Sequence, residues 1–261
     1  MNDPKGRTAL VTGASSGLGA EFARQLAALG YSLALVARRL DRLEQLAADL
    51  RDRHGVRAEA LAADLTEPHA PVRIADRVAE LGMTIDYLVN NAGSAGPDLL
   101  EDRGWQRQAA FLQLMMTSMA HMCHLFAPGM RERGFGRILN VASVAGRIAR
   151  AGDLNYGPSK AYVVALSEAL HLTLRRHGVH ACALCPGFTH TEFHAVADML
   201  EMKAQLPAFV WYDVQVVVRE GLAAVEKGRY VYTSGRLYRW VDPLLQSVWI
   251  RPLARKLSGS R

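Results

Sequence analysis

The chain has 261 residues, half of them apolar and 21% charged, with a formal net charge of +6. That size allows one large α/β domain or two small ones, and that composition is ordinary for a globule with a full core. The charge is lopsided: between residues 229 and 261 seven Lys or Arg stand against one acid, Asp242, so the basic character belongs to the tail and a diffuse nucleic-acid-binding surface is not expected. Three cysteines do not make a disulfide framework. An apolar strand begins by Ala9 without a preceding signal segment. The apolar stretch 111–130 is interrupted by Gln113, His121, His124 and Pro128, so it should not span a membrane. These features fit a cytoplasmic enzyme.

Residues 7–12 (RTALVT) read as a buried strand, followed at once by Gly13-Ala14-Ser15-Ser16-Gly17-Leu18-Gly19 and an amphipathic helix over 21–29 that ends at Gly30. A strand over 32–37, a helix over 41–53, a strand over 56–62, a helix over 68–81 and a strand over 87–89 repeat the alternation. A long helix over 105–133 follows, with a break expected near Pro128. Residues 137–141 give a fifth strand, 158–177 a helix, 180–184 a sixth strand and 230–233 a short last one. Strands alternating with helices of this length indicate βαβ units. The expected fold is a Rossmann-type, doubly wound parallel sheet of about seven strands flanked by helices. No linker or internal repeat interrupts it, so residues 1–261 are read as one domain.

The glycine loop follows a strand and opens a helix, the setting a phosphate-binding loop needs. Glycines let the backbone approach a pyrophosphate, and the helix N-terminus supplies free N–H groups and a positive dipole. Further on, Tyr156 and Lys160 are four apart at the start of a helix and so share a face. A cation beside a phenol favours phenolate and would draw its pKa from about 10 toward neutrality, suiting it to proton transfer.

The glycine spacing, Thr12-Gly13-x-x-x-Gly17-x-Gly19, is not G-x-G-x-x-G. With Asn90-Asn91-Ala92-Gly93, Ser143 thirteen residues before Tyr156, Lys160 four after it and Pro186-Gly187 closing the sixth strand, the chain resembles the short-chain dehydrogenase/reductase family from residue 8 to about 195. The resemblance implies that Tyr156 is the general acid/base, that Lys160 lowers its pKa and holds the nicotinamide ribose, and that Ser143 hydrogen-bonds the substrate oxygen. It implies pyrophosphate and ribose contacts from Gly13, Ser15, Ser16, Gly17, Leu18 and Gly19, and adenine contacts from Asp64 and Leu65. Asn91, Ala92 and Gly93 would line the cofactor groove. Pro186, Gly187, Thr189 and Thr191 would lie along the nicotinamide, the two threonines holding its carboxamide. No metal ligand set is implied. A homodimer or homotetramer is the family's usual assembly.

An acid at the end of the second strand binds the ribose 2′-OH of NAD, whereas Arg accommodates a 2′-phosphate. Here that strand ends Val36-Ala37-Arg38-Arg39, with no acid until Asp41. Two guanidiniums stand where a phosphate would be, so NADP(H) is the expected cofactor. One position departs from the family. Where an Asn normally helps to hold a proton-relay water, counting back from Pro128 lands on Met115, whose thioether cannot donate a hydrogen bond. That leaves a second possibility, a catalytically weak NADP-binding sensor or scaffold.

Other candidates carry less. Cys182 and Cys185 have redox spacing but fall within a strand, where residues three apart face opposite ways. His190 and His194, with Glu192 between them, could be imagined as metal ligands, but no third ligand is evident. His121, Cys123 and His124 suit a subunit interface. The stretch 188–212 corresponds to a variable substrate lid, and Phe188, Phe193, Met199, Phe209 and Trp211 make it apolar, which favours a hydrophobic carbonyl or alcohol. The basic amphipathic extension 234–261 could lie on a membrane interface, but packing over the substrate site of the same or a partner chain is the preferred reading.

Overall fold

The computed structural model describes residues 6–189 and 210–247. Strand β1 (Thr8–Thr12) is buried along its whole length, and leads through the glycine loop into α1 (Gly17–Ala28). The alternation continues with β2 (Ser32–Ala37), α2 (Leu40–His54), β3 (Ala58–Ala62), α3 (Ala70–Glu80) and β4 (Ile85–Asn90). Then come α4 (Trp105–Leu112), α5 (Ser118–Glu132), β5 (Gly136–Val141), α6 (Tyr156–Leu174) and β6 (Val179–Cys185). Two short strands, β7 (Phe188–Thr189) and β8 (Trp211–Tyr212), pair with each other. The described chain closes with α7 (Val214–Glu226), β9 (Val231–Thr233) and α8 (Arg236–Gln246).

The main sheet has seven strands in the order β3-β2-β1-β4-β5-β6-β9, every pair parallel, as the alternation predicts. Parallel sheets of this kind are covered on both faces, which is why the strands read as continuous apolar runs. Successive residues of β1 show it: Ala9 and Val11 pack with α1, α2 and α7, whereas Leu10 packs with α3 and α5. Cys182 and Cys185 likewise sit in different clusters, so their thiols cannot pair, and both are free. The strand order reverses direction between β1 and β4, and in open α/β sheets ligands bind at the carboxyl ends of the strands beside that switch.

One expectation about an element is corrected. The helix over 105–133 does not break at Pro128, which lies inside α5. Pro128 is on an exposed face, where the carbonyl it leaves without a donor can meet water. The irregularity comes earlier, as a π turn at Gln113–Thr117 between α4 and α5. Among the described residues no helix is long and apolar enough to cross a membrane.

Candidate active site

The glycine loop closes onto the end of β4. Thr12 Oγ1 accepts from the backbone N–H groups of Asn91 (2.9 Å) and Ala92 (3.1 Å), and Asn91 Nδ2 donates back to Thr12 O at 3.0 Å. A Cβ on Gly19 would stand 2.1 Å from Gly13 O and 2.6 Å from Asn91 Nδ2, so nothing larger than glycine fits there. Gly13 and Gly17 adopt φ of +66° and +53°, conformations that L side chains avoid. The loop thus brings bare backbone and the first N–H groups of α1 to the switch point, a cradle that fits a pyrophosphate.

Arg39 reaches across this loop. Its Nη2 donates to both Ser15 Oγ and Ser16 Oγ at 3.0 Å. Arg38 is exposed beside it, and the nearest acid, Asp41, is already in the first turn of α2. Asp64, after β3, uses Oδ1 to accept from both the N–H and the hydroxyl of Thr66, and Leu65 is buried.

Ser143, Tyr156 and Lys160 converge at the carboxyl end of β5. Ser143 opens a short 3₁₀ turn (Val144–Gly146), its Oγ accepting from Ala145 N at 3.1 Å and sharing a hydrogen bond with the Tyr156 side chain. Gly146 lets that turn pack against α6: a Cβ there would be 2.5 Å from the Lys160 carbonyl carbon. Lys160 is 4% exposed, donates to Val141 O at 2.8 Å, and sits 5.6 Å from the centre of the Tyr156 ring. Desolvation lowers Lys160 to about 8. Desolvation also raises Tyr156 to about 12, against the opposing pull of the Ser143 hydrogen bond. The phenol is therefore not drawn down as the helical spacing alone suggests, because removal from water, with Asp153 adding to it, outweighs the Ser143 hydrogen bond.

Met115 is buried on the π turn, and its Sδ would lie 3.2 Å from a Cβ on Gly93, a position that is itself 3.8 Å from Lys160 Nζ. The thioether thus stands in the neighbourhood of the ammonium. Gln113, on the same turn, has a buried Nε2 without a hydrogen-bond partner among the described residues.

Several supporting residues escaped the motifs. Asn155, directly before Tyr156, donates to Pro97 O (2.8 Å) and Gln108 Oε1 (2.6 Å), and Gln108 Nε2 donates to Asp98 O and Asp102 O. This buried network ties the start of α6 to the loop after Gly93. Below the site, Asn140 accepts from Asn90 Nδ2 and donates to Ser167 Oγ, both at 2.9 Å, linking β4, β5 and α6. Cys123 lies against the same amides, and burial pushes its thiol up to about 12. Thr189 is buried and donates to Gly187 O, whereas Thr191, His190, Glu192, His194 and the rest of 190–209 lie outside the described residues. Among the described residues there is no His/Cys/Asp/Glu group that could hold a metal ion.

A family model described as short chain dehydrogenase matches residues 7–199. The chain belongs to the short-chain dehydrogenase/reductase family. The very-long-chain 3-oxoacyl-CoA reductase of Anas platyrhynchos is a relative 32% identical over 266 aligned positions, covering 96% of this chain and 80% of its own length. A short-chain dehydrogenase from Sphingobium yanoikuyae, solved in complex with NADPH, is 35% identical with a TM-score of 0.78, over 92% of this chain and 94% of that one. A short-chain dehydrogenase/reductase from Burkholderia phymatum, solved in complex with NAD, shares the fold with a TM-score of 0.84 at 24% identity, over 98% of this chain and 97% of that one. The chain is therefore a short-chain dehydrogenase/reductase with the family's Rossmann sheet, and an oxidoreductase by membership.

Proposed function

We propose that this short-chain dehydrogenase/reductase is an NADP(H)-dependent enzyme that interconverts a hydrophobic carbonyl compound and its secondary alcohol. The observation that carries the reading is the hydrogen bond between Ser143 and Tyr156 beside the buried ammonium of Lys160. In the reductive direction Tyr156 Oη gives its proton to the carbonyl oxygen. Ser143 Oγ, already within hydrogen-bonding distance of that phenol, donates to the same oxygen as negative charge gathers on it. Lys160, protonated, offsets the charge left on the Tyr156 oxygen. A bound nicotinamide would supply or accept the hydride.

The residues fit that cofactor: the Gly13–Gly19 loop for the pyrophosphate, Arg38, Arg39, Ser15 and Ser16 for a 2′-phosphate, and Lys160 for the nicotinamide ribose. Asp64 and Leu65 border the adenine end. Asn91, Ala92 and Gly93 run along the groove, and Pro186, Gly187 and Thr189 reach the nicotinamide end. Support for NADP over NAD comes from two guanidiniums and no carboxylate at the end of β2.

Support for a hydrophobic substrate comes from aromatic side chains beside the nicotinamide end. Phe188 and Trp211 have ring centres 5.2 Å apart, and Tyr212 and Tyr238 lie 6.0 Å apart. The relative named as a very-long-chain 3-oxoacyl-CoA reductase agrees with that leaning. We read the chain as one domain acting in the cytoplasm as a homodimer or homotetramer. An apolar groove between α5 and α6, lined by Ala120, Ala127, Leu166, Ala169 and Leu170, is a suitable place for a second copy.

A panel of aliphatic, aromatic and polycyclic ketones with NADPH consumption as readout tests the function. Turnover that disappears in Tyr156→Phe, with NADPH affinity retained, is the expected result. Tight NADPH binding without turnover on any compound would point instead to a cofactor-binding sensor.

A further inference from the structure

We propose that Asp242 is a positioning residue for the reaction site, acting through Arg147, and that α8 is a fixed part of that site's frame. The proposal rests on the catalytic reading of Ser143, Tyr156 and Lys160 given above. Arg147 ends the turn that Ser143 begins: Gly146 N donates to Ser143 O, and Arg147 N donates to Val144 O, each at 3.0 Å. Wherever Arg147 is held, the Ser143 turn is held with it.

The Arg147 guanidinium is gripped by both oxygens of Asp242, Nε to Oδ1 and Nη2 to Oδ2, each at 2.9 Å. The side chains are only 22% and 16% exposed, so the pair is a two-bond fork sheltered from solvent, unlike an exposed ion pair whose worth is small. One helical turn later Gln246 Nε2 donates to Arg147 O at 2.6 Å. One turn earlier the Tyr238 ring lies against Gly187, where a Cβ would be 2.1 Å from the nearest ring carbon. Tyr238, Asp242 and Gln246 are spaced by four and form one face of α8. That face touches both the turn carrying Ser143 and the segment after β6, which are themselves joined by Val144 N donating to Pro186 O at 3.1 Å. The opposite side of α8 carries Trp240, 80% exposed.

A brace that merely stabilises the fold would act differently, and the helix supplies its own control. Arg239 pairs with Glu220 of α7 at 2.7 Å, fixing α8 to the body without touching the Ser143 turn. The experiment compares Asp242→Asn, Asp242→Glu, the exchange Arg147→Asp with Asp242→Arg, and Arg239→Ala. For each, kcat and KM with NADPH and the best ketone are measured, together with hydrogen exchange of the 143–147 amides. Asp242→Asn is expected to lower kcat about 10-fold with little change in KM for NADPH, since a small displacement of a group that contacts the reacting oxygen is costly. Exchange over 143–147 should rise in parallel. Asp242→Glu or the exchanged pair should recover part of both, and Arg239→Ala should lower Tm while leaving kcat within about twofold. Equal losses of kcat in Asp242→Asn and Arg239→Ala, or unchanged exchange over 143–147 in Asp242→Asn, would overturn the proposal. If the wild-type chain turns over no carbonyl, the enzymatic reading falls, and the exchange measurement alone decides whether Asp242 holds the Ser143 turn.

Discussion

The buried ammonium of Lys160 donates a 2.8 Å hydrogen bond to the main-chain carbonyl of Val141, at the end of the strand that leads into Ser143. A cation with one carbonyl and little water is held below its usual pKa, here at about 8. Its charge can therefore change in the range where enzymes are assayed. If Lys160 offsets the charge left on Tyr156, reductive kcat should be flat below about pH 8 and fall above it as the ammonium deprotonates. In Lys160→Arg, whose guanidinium stays protonated, the falling limb should move to higher pH. A limb that stays in place would assign it to another group.

The same shift has a consequence for stability. Because the folded-state value of Lys160 lies below its ordinary 10.5, the folded chain binds fewer protons than the unfolded chain between about 8 and 10.5. Stability from this group therefore rises with pH across that window, and the cost of burying the cation is fully present below it. Cofactor-free Lys160→Met should melt higher than wild type at neutral pH, and the gap should shrink as pH approaches 10.5. Parallel thermal melts across that range measure it.

Arg39 donates to Ser15 Oγ and Ser16 Oγ, and under the proposed NADP(H) reading it would face the 2′-phosphate. Replacing it by Glu puts a carboxylate at the end of β2, repelling the phosphate. Arg39→Glu should weaken NADPH binding by about 10- to 100-fold, in line with losing one or two charge-assisted hydrogen bonds, while NADH binding holds or improves. Fluorescence titration with both cofactors reads this directly.

A Cβ on Gly19 would meet the Gly13 backbone, its O at 2.1 Å and its C at 2.6 Å, and backbone cannot yield as a flexible side chain can. Gly19→Ala should cost about 1–3 kcal/mol of stability by overpacking, which is roughly 2–4 °C in Tm per kcal/mol for a chain of this size. It should also displace the loop from a pyrophosphate, so NADPH affinity should fall together with Tm.

Met115 occupies the π turn near Gly93 and Lys160 with a side chain that cannot donate a hydrogen bond. Met115→Asn supplies an amide at that place, and turnover should rise severalfold if proton supply to the Lys160 end limits the rate. Unchanged kcat with an unchanged pH profile would show that the thioether is no obstacle.

The parallel sheet, the tight glycine loop after β1 and the shared helical face of Tyr156 and Lys160 were all legible in the sequence, because each rests on local spacing. Alternating apolar strands and amphipathic helices specify βαβ units, glycines mark backbone that must pass close to other backbone, and two residues four apart on a helix share a face. Where the pattern bends, and what holds Ser143, Tyr156 and Lys160 in place, follows instead from contacts between distant segments. The π turn at Gln113–Thr117 and the unbroken course of α5 through Pro128 depend on packing against neighbouring elements, which propensity does not see. The rise of Tyr156 to about 12 follows from desolvation, a property of surroundings assembled from distant segments. Asn155 meets Gln108, Lys160 meets Val141 O, and Arg147 meets Asp242 across 95 positions of chain. No periodicity brings such partners together, since only closure of the sheet and docking of α8 place them within hydrogen-bonding distance.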